Sequence, residues 1–187
     1  MAVLDLHRQA MAEFGERVRA VRADQWQDVT PCTEWDVRAL VNHVTVEQLW
    51  VPLLLDGVKP DTVADSLEDD LLGDDPMSTW ERASEAARVA WTAPGVLERS
   101  ITLSNGPTPA EIYVWQATLD LGVHAWDLAR AVGAGEQLDG ELVAALRQMV
   151  EPRVRQVQSS GLFAAPLLAA TDATDQQRLL ALLGRAS

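Results

Sequence analysis

Two of the chain's three histidines stand at spacings from carboxylates that suit metal coordination. Asp120 and His124 lie four residues apart, so on a helix both side chains leave the same face, one above the other. His43 and Glu47 repeat the four-residue step, and Leu40 and Trp50 extend that face, which turns His43 toward the interior of a helical assembly. Two facing helices carrying these residues would converge on one ion. Two imidazoles and a carboxylate suit Zn2+, Ni2+ or Fe2+, and three protein ligands leave a position open for water or substrate, as catalytic sites do. Glu47, one turn beyond His43, suits a general base or a fourth contact, and equally a polar bundle residue with no role. The same spacings also fit two separate half-buried histidines and a surface acid, because a single Asp-x-x-x-His is a short signal.

The elements that must position these residues are helical. From Val3 to Val21, Val3, Leu6, Ala10, Phe14, Val18 and Val21 recur at steps of three and four, which predicts the first helix. Thr33 and Asp36 form a capping pair that starts a second helix at about Glu34, with Val37, Leu40, Val41, Val44 and Leu55 on its apolar side and a kink or early end at Pro52. Seven acidic and no basic residues between Asp61 and Asp75 read as a solvated loop with room for a turn of helix. Met77 to Trp91 predicts a third helix, and Glu98 to Leu103 a short extended segment before the turn Asn105-Gly106-Pro107. Thr108-Pro109-Ala110-Glu111 reads as a cap, first-turn proline and closing glutamate for a helix that reaches Val132 and stops at Gly133. Further helices are expected over 139–158, kinked at Pro152, and from Thr174 to Leu183. Four long helices with shorter C-terminal additions predict an all-α four-helix bundle in one domain spanning 1–187.

Composition removes several function classes. Twenty-eight acidic against fifteen basic residues give a formal charge of −13, which repels nucleic-acid backbones and anionic lipid surfaces. The longest apolar run, Leu162 to Ala170, is broken by Pro166 and falls far short of the roughly 20 residues needed to span a bilayer. No basic start followed by an apolar core marks a secretory signal, and the lone Cys32 cannot form an internal disulfide, so a cytoplasmic protein with a small-molecule substrate is expected.

Other residues near these motifs have competing readings. Asp127, three after His124, suits an acceptor for the imidazole's second N–H, although a helix-surface or inter-helix hydrogen bond is the simpler assignment. His7 lies between the apolar faces of the first helix, where lining a pocket is the lesser reading. Cys32 has no histidine near it in sequence and reads as a small packed residue rather than a nucleophile. Most of the seven tryptophans read as core, with Trp50 and Trp126 as candidate walls of a substrate pocket.

The words around the histidines carry a resemblance. Thr30-Pro-Cys-Thr-Glu-Trp-Asp-Val-Arg-Ala-Leu-Val-Asn-His43 resembles the TPC-x-x-W-x-V-x-x-L-x-x-H opening of the DinB-like superfamily, in the branch related to the metal-binding domain of mycothiol-dependent maleylpyruvate isomerase. Asp120-Leu-Gly-Val-His124-Ala-Trp-Asp127-Leu-Ala resembles the second metal motif of that branch, and Gln177 to Arg185 the ending of a small actinobacterial subfamily. The resemblance implies a DinB-like bundle with up-down-down-up connectivity and short C-terminal additions. His43 matches the first ligand position and His124 the last. The middle position, often glutamate or histidine in relatives, is Asp120 here, whose shorter arm makes the third bond the least secure. Relatives use mycothiol or bacillithiol in isomerisation and S-transfer, so the implied activity is divalent-metal-dependent, most simply Zn2+, with mycothiol as a co-substrate. The isomerase relative carries an additional C-terminal domain that a chain of this length is expected to lack, so fold and metal site transfer more readily than thiol dependence. Metal-assisted hydrolysis or lyase chemistry with Glu47 as base is the second reading. A non-catalytic metal-binding module acting through a partner or a homodimer is the third, although no heptad seam demands a dimer.

Overall fold

The computed structural model describes residues 2–62, 67, 69–155 and 163–186. Among them are six helices, α1 (Val3–Ala20), α2 (Val37–Leu55), α3 (Pro76–Ala90), α4 (Ala110–Val132), α5 (Gly140–Val150) and α6 (Asp175–Leu182). A single hairpin, β1 (Ser100–Leu103) with β2 (Gly106–Pro109), precedes α4. The described residues gather into two compact units, 2–136 and 137–186.

The first unit is the bundle. Both α1 and α2 pack against α3 and against α4, so the ring order is α1, α4, α2, α3. Leu6, Phe14 and Val18 of α1 meet Leu40, Val44 and Val51 of α2, Trp80 and Ala87 of α3 and Val114, Leu121 and Leu128 of α4 in one buried core. Phe14 and Trp80 lie with ring centroids 4.8 Å apart. The Val, Leu and Phe side chains among them each contribute about 1.5–3 kcal/mol by leaving water. The site-bearing helix α4 is the most enclosed: all nine residues from Leu121 to Ala129 are buried, as in a helix covered on every side. It ends at Gly133, whose φ of 71° takes the left-handed cap conformation expected there.

Two helix starts differ from the sequence-based expectation. α2 begins at Val37 rather than near Glu34, and its cap is Asp36, whose carboxylate accepts the Ala39 N–H at 2.8 Å. Residues 29 to 36 form instead a closed loop, bridged from Val29 to Asp36 and pinned where the Thr30 hydroxyl donates to the Trp35 carbonyl at 2.8 Å. The Thr108 cap is also not made. Thr108 sits opposite Ile101 in the hairpin, the helix starts at Ala110, and the Ala110 N–H donates to the Arg99 carbonyl at 2.9 Å. Strand pairing has taken the residues that local capping would have used. Pro52 lies inside α2 without ending it.

The acidic segment is less solvated than its charge suggests where it is described. Arg38 of α2 donates to the Asp70 carboxylate at 2.5 Å and to the Gly73 carbonyl at 2.7 Å. Asn42, next to His43, donates to the Asp69 carbonyl and accepts the Leu71 N–H, and Leu72 is buried. A 3-10 turn covers Pro60–Thr62, whereas residues 63–66 and 68 lie outside the described residues.

In the second unit α5 packs on α6, burying Leu142, Leu146 and Val150 with Leu179 and Leu180. Thr174 and Gln177 cap α6 reciprocally, as a Thr-x-x-Gln start requires. A 3-10 turn at Glu151–Arg153 follows α5 where Pro152 interrupts it, and the expected helical continuation through 156–158 lies outside the described residues.

Candidate metal centre

The central parts of α2 and α4 face each other, and the three residues singled out by spacing meet there. His43 Nε2 lies 3.5 Å from Asp120 Oδ2, and His124 Nε2 lies 3.3 Å from Asp120 Oδ1. The donor atoms of His43, Asp120 and His124 all lie within 4.8 Å of one another. The four-residue step on α4 does what was expected of it, placing carboxylate and imidazole on one face. Asp120 Oδ2 is buried and, beside the 3.5 Å contact with His43, has no hydrogen-bond partner among the described residues. A buried carboxylate oxygen without a donor is costly unless a cation meets it.

The electrostatics fit a cation-binding cluster. Burial works to raise the Asp120 pKa, but the charge and hydrogen bond of His124, with His43 beside them, outweigh it and hold the carboxyl well below its usual range. Burial likewise works to lower His124, and is outweighed by Asp120, Asp127 and Cys32, which push that imidazole well above its usual value. In the metal-free protein a proton on the imidazole thus balances the carboxylate, and a metal ion at this place would displace that proton.

Asp127 settles the orientation of His124. Its carboxylate is fully buried and accepts from His124 Nδ1 at 2.9 Å, so Nε2 is the atom turned toward Asp120 and His43. Of the simpler assignments for Asp127, the helix-surface one does not hold, while a bond to another element is present in its contact with Cys32. Carboxylate support of this kind fixes tautomer and ring direction and raises ligand basicity. The Cys32 thiol completes this layer, donating to Asp127 Oδ2 at 3.2 Å with its sulfur 3.8 Å from His124 Nδ1. Cys32, His124 and Asp127 thus form a second convergent cluster on the far side of the imidazole. Ninety-two positions separate Cys32 from His124, and no local pattern in the chain connects them.

The tryptophan stacked beside the imidazoles is neither of the two singled out as candidate pocket walls. Trp35, carried by the loop before α2, lies 4.5 Å from His43 and 5.7 Å from His124 between ring centroids. Trp126 is buried beneath the Arg130 guanidinium, 4.5 Å above its ring. Glu47 sits one turn along α2 from His43. Burial first, and the Asp120 charge second, raise its pKa to about 7 against the opposing pull of His43 and His124. Tyr113, two turns before Asp120 on α4, was not singled out by the sequence. Burial, then Glu47 and Asp120, push its phenol far above the ordinary value, and its hydroxyl has no partner among the described residues. His7 is buried and bonds Thr118 at 3.2 Å.

A family model described as the mycothiol maleylpyruvate isomerase N-terminal domain matches residues 7–129. The chain belongs to that family. The matched span includes α2 and most of α4, and with them every residue of the two clusters. Two uncharacterized proteins from Mycobacterium tuberculosis strains (CDC 1551 / Oshkosh and ATCC 25618 / H37Rv) are each 32% identical over 163 residues, 83% of this chain and 83% of the relative. Among solved structures, a crystal structure of the mycothiol-dependent maleylpyruvate isomerase matches with a TM-score of 0.65 at 18% identity, over 82% of this chain and 70% of that one. A histidine-to-alanine mutant of that enzyme gives the same TM-score and coverage at 17% identity. At these identities the likeness shows the DinB-like fold, which this member of the maleylpyruvate isomerase N-terminal domain family shares. No described helix is long and apolar enough to cross a membrane.

Proposed function

We propose that the protein is a metal-dependent enzyme of thiol-linked isomerisation or transfer, with one divalent cation held by His43, Asp120 and His124. The observation that supports this reading is the convergence of the three donor sets within 4.8 Å around a buried carboxylate oxygen that, beside its 3.5 Å contact with His43, has no partner among the described residues. Two imidazoles and one carboxylate favour Zn2+, with Ni2+ and Fe2+ as the nearest competitors. Family membership supports mycothiol as the co-substrate, since the related enzyme of known structure is named as mycothiol-dependent. A divalent cation in such a site supplies Lewis acidity and favours the anionic form of a thiol or water beside it.

The chain's own groups supply the rest. Asp127 holds His124 by its Nδ1 proton and keeps Nε2 aimed into the site. Glu47, one turn from His43 and raised by burial and the Asp120 charge in the metal-free protein, is placed to take a proton from a substrate carbon or thiol and return it at another position, as an isomerisation requires. Tyr113 keeps its proton at every working pH and is a donor for an oxygen that gains charge. Trp35 shields the two imidazoles on one side.

The test is the metal content of the tag-free protein by elemental analysis, beside His43→Ala and His124→Ala. About one Zn2+ or Ni2+ per chain in the wild type, lost in both variants while helicity persists, is the expected result. Absence of metal after reconstitution with each candidate ion refutes the ligand set. Glu47's raised pKa also favours a second reading, metal-assisted hydrolysis or lyase chemistry with Glu47 as base. Turnover that requires no thiol and is lost in a Glu47→Gln variant that still binds metal would select it.

A further inference from the structure

The closed loop of residues 29–36 touches the candidate metal centre at two places. Trp35 packs on the imidazole rings, its centroid 4.5 Å from that of His43 and 5.7 Å from that of His124. Cys32 reaches behind His124, where its thiol donates to Asp127 Oδ2 at 3.2 Å. One hydroxyl ties the two contacts together. The buried Thr30 Oγ1 accepts the Cys32 N–H at 3.1 Å and donates to the Trp35 carbonyl at 2.8 Å. The Trp35 N–H donates in turn to the Cys32 carbonyl at 2.8 Å, and Val29 is bridged to Asp36 across the loop's ends. Backbone closed by these bonds presents the thiol and the indole from fixed positions.

The thiol meets the carboxylate at the oxygen that matters for His124. Asp127 is fully buried, and its Oδ2 receives both the His124 Nδ1 proton, at 2.9 Å, and the Cys32 thiol. His124 and Asp127 sit three residues apart on α4, so their side-chain torsions can shift together without breaking the bond between them. A donor carried by another element removes that freedom, because the carboxylate cannot turn with the ring and still meet a thiol that stays in place. Outer partners of a metal histidine matter through such orientation of the ring.

We propose that Cys32 is a positioning residue: its thiol, held by the Thr30-stapled loop, fixes the Asp127 carboxylate and through it the direction of His124 Nε2. The consequence for metal affinity rests on the reading of His43, Asp120 and His124 as ligands. The hold on the imidazole itself does not, and it requires neither a reactive thiol nor a particular substrate. A thiol is a weak donor and acts here through Asp127, so its removal costs less than the loss of Asp127, which is about 10 to 100-fold in metal affinity.

Cys32→Ala removes the donor and Cys32→Ser keeps one. In the metal-free, 15N-labelled full chain, the His124 Nδ1–H resonance, assigned by its loss in His124→Ala, exchanges with solvent faster in Cys32→Ala than in the wild type or Cys32→Ser. Zn2+ affinity, read by chelator competition, falls about fivefold in Cys32→Ala, the value of one net hydrogen bond, and is restored in Cys32→Ser. In an Asp127→Ala background Cys32→Ala lowers Zn2+ affinity no further, which a cysteine that merely fills space would not show. Wild-type exchange of the His124 proton in Cys32→Ala, an equal loss of affinity in both backgrounds, or a loss in Cys32→Ser as large as in Cys32→Ala overturns the proposal. If the wild type binds no Zn2+, the ligand reading falls, and the exchange rates alone decide whether Cys32 holds Asp127 against His124.

Discussion

Replacing Asp127 by asparagine tests whether the support of His124 matters as the geometry implies. In the wild type a fully buried carboxylate accepts from His124 Nδ1 at 2.9 Å, and the same oxygen accepts the Cys32 thiol at 3.2 Å. Asparagine keeps an oxygen acceptor but not its charge, and a charge-assisted hydrogen bond is roughly twice as strong as a neutral one. Loss of outer support around a metal histidine typically costs about 10 to 100-fold in metal affinity. Asp127→Asn belongs near the lower end of that range, because the amide oxygen still orients the ring. Asp127→Ala belongs near the upper end, and it also leaves the buried Nδ1–H unpaired, at about 1–3 kcal/mol of folding stability. Competition with a chromogenic zinc chelator reads the affinities, and urea unfolding of the metal-free protein reads the stability. Wild-type affinity in both variants, with His124→Ala losing metal, would show that Asp127 does not hold His124 for an ion and refute the reasoning.

Glu47 links the site to pH. Its folded-state pKa of about 7 lies above the ordinary 4.5, so the folded protein retains a proton that the unfolded chain releases. The stability this contributes is fully present below pH 4.5 and is lost as pH rises through 7, by about 3 kcal/mol at 1.36 kcal/mol per unit. Urea midpoints of the metal-free wild type should therefore fall between pH 5 and pH 8 more steeply than those of Glu47→Gln, and equal slopes would contradict the assignment. Gly184→Ala and Gly57→Ala both force alanine into positive φ, 78° and 82°, at about 1–2 kcal/mol. At Gly184 the new Cβ also falls 2.9 Å from the Ala164 backbone, whereas at Gly57 nothing lies within 4 Å. Thermal unfolding should show Gly184→Ala as the more destabilised of the two, and the reverse order would refute the steric account.

Much of the architecture was legible in the chain because it rests on local periodicity. The steps of three and four from Val3 onward, Gly133 after α4 and Thr174 with Gln177 at α6 locate element ends to within a residue or two, since each depends on neighbours along the helix. The misplaced starts at Glu34 and Thr108 failed where a partner distant in sequence had the stronger claim, Asp28 and Trp26 carbonyls on the entry to α2 and the Ile101 strand residue on Thr108. A cap motif states what a segment can do alone, not what the rest of the fold leaves available.

For the site, the sequence by itself determined the pairing of Asp120 with His124, because a four-residue step on a helix is a geometric statement that needs no tertiary information. It also placed His43 and Glu47 on one face of α2. Only the tertiary structure decided that these two faces meet, that Trp35 rather than Trp126 packs on the imidazoles, and that Cys32 and Asp127 stand behind His124. Tyr113, whose hydroxyl has no partner among the described residues, belongs to the same class. The physical reason is that burial, electrostatic shifts and hydrogen-bond partners arise from contacts across the bundle, and those contacts depend on how helices pack, which no spacing along one helix encodes.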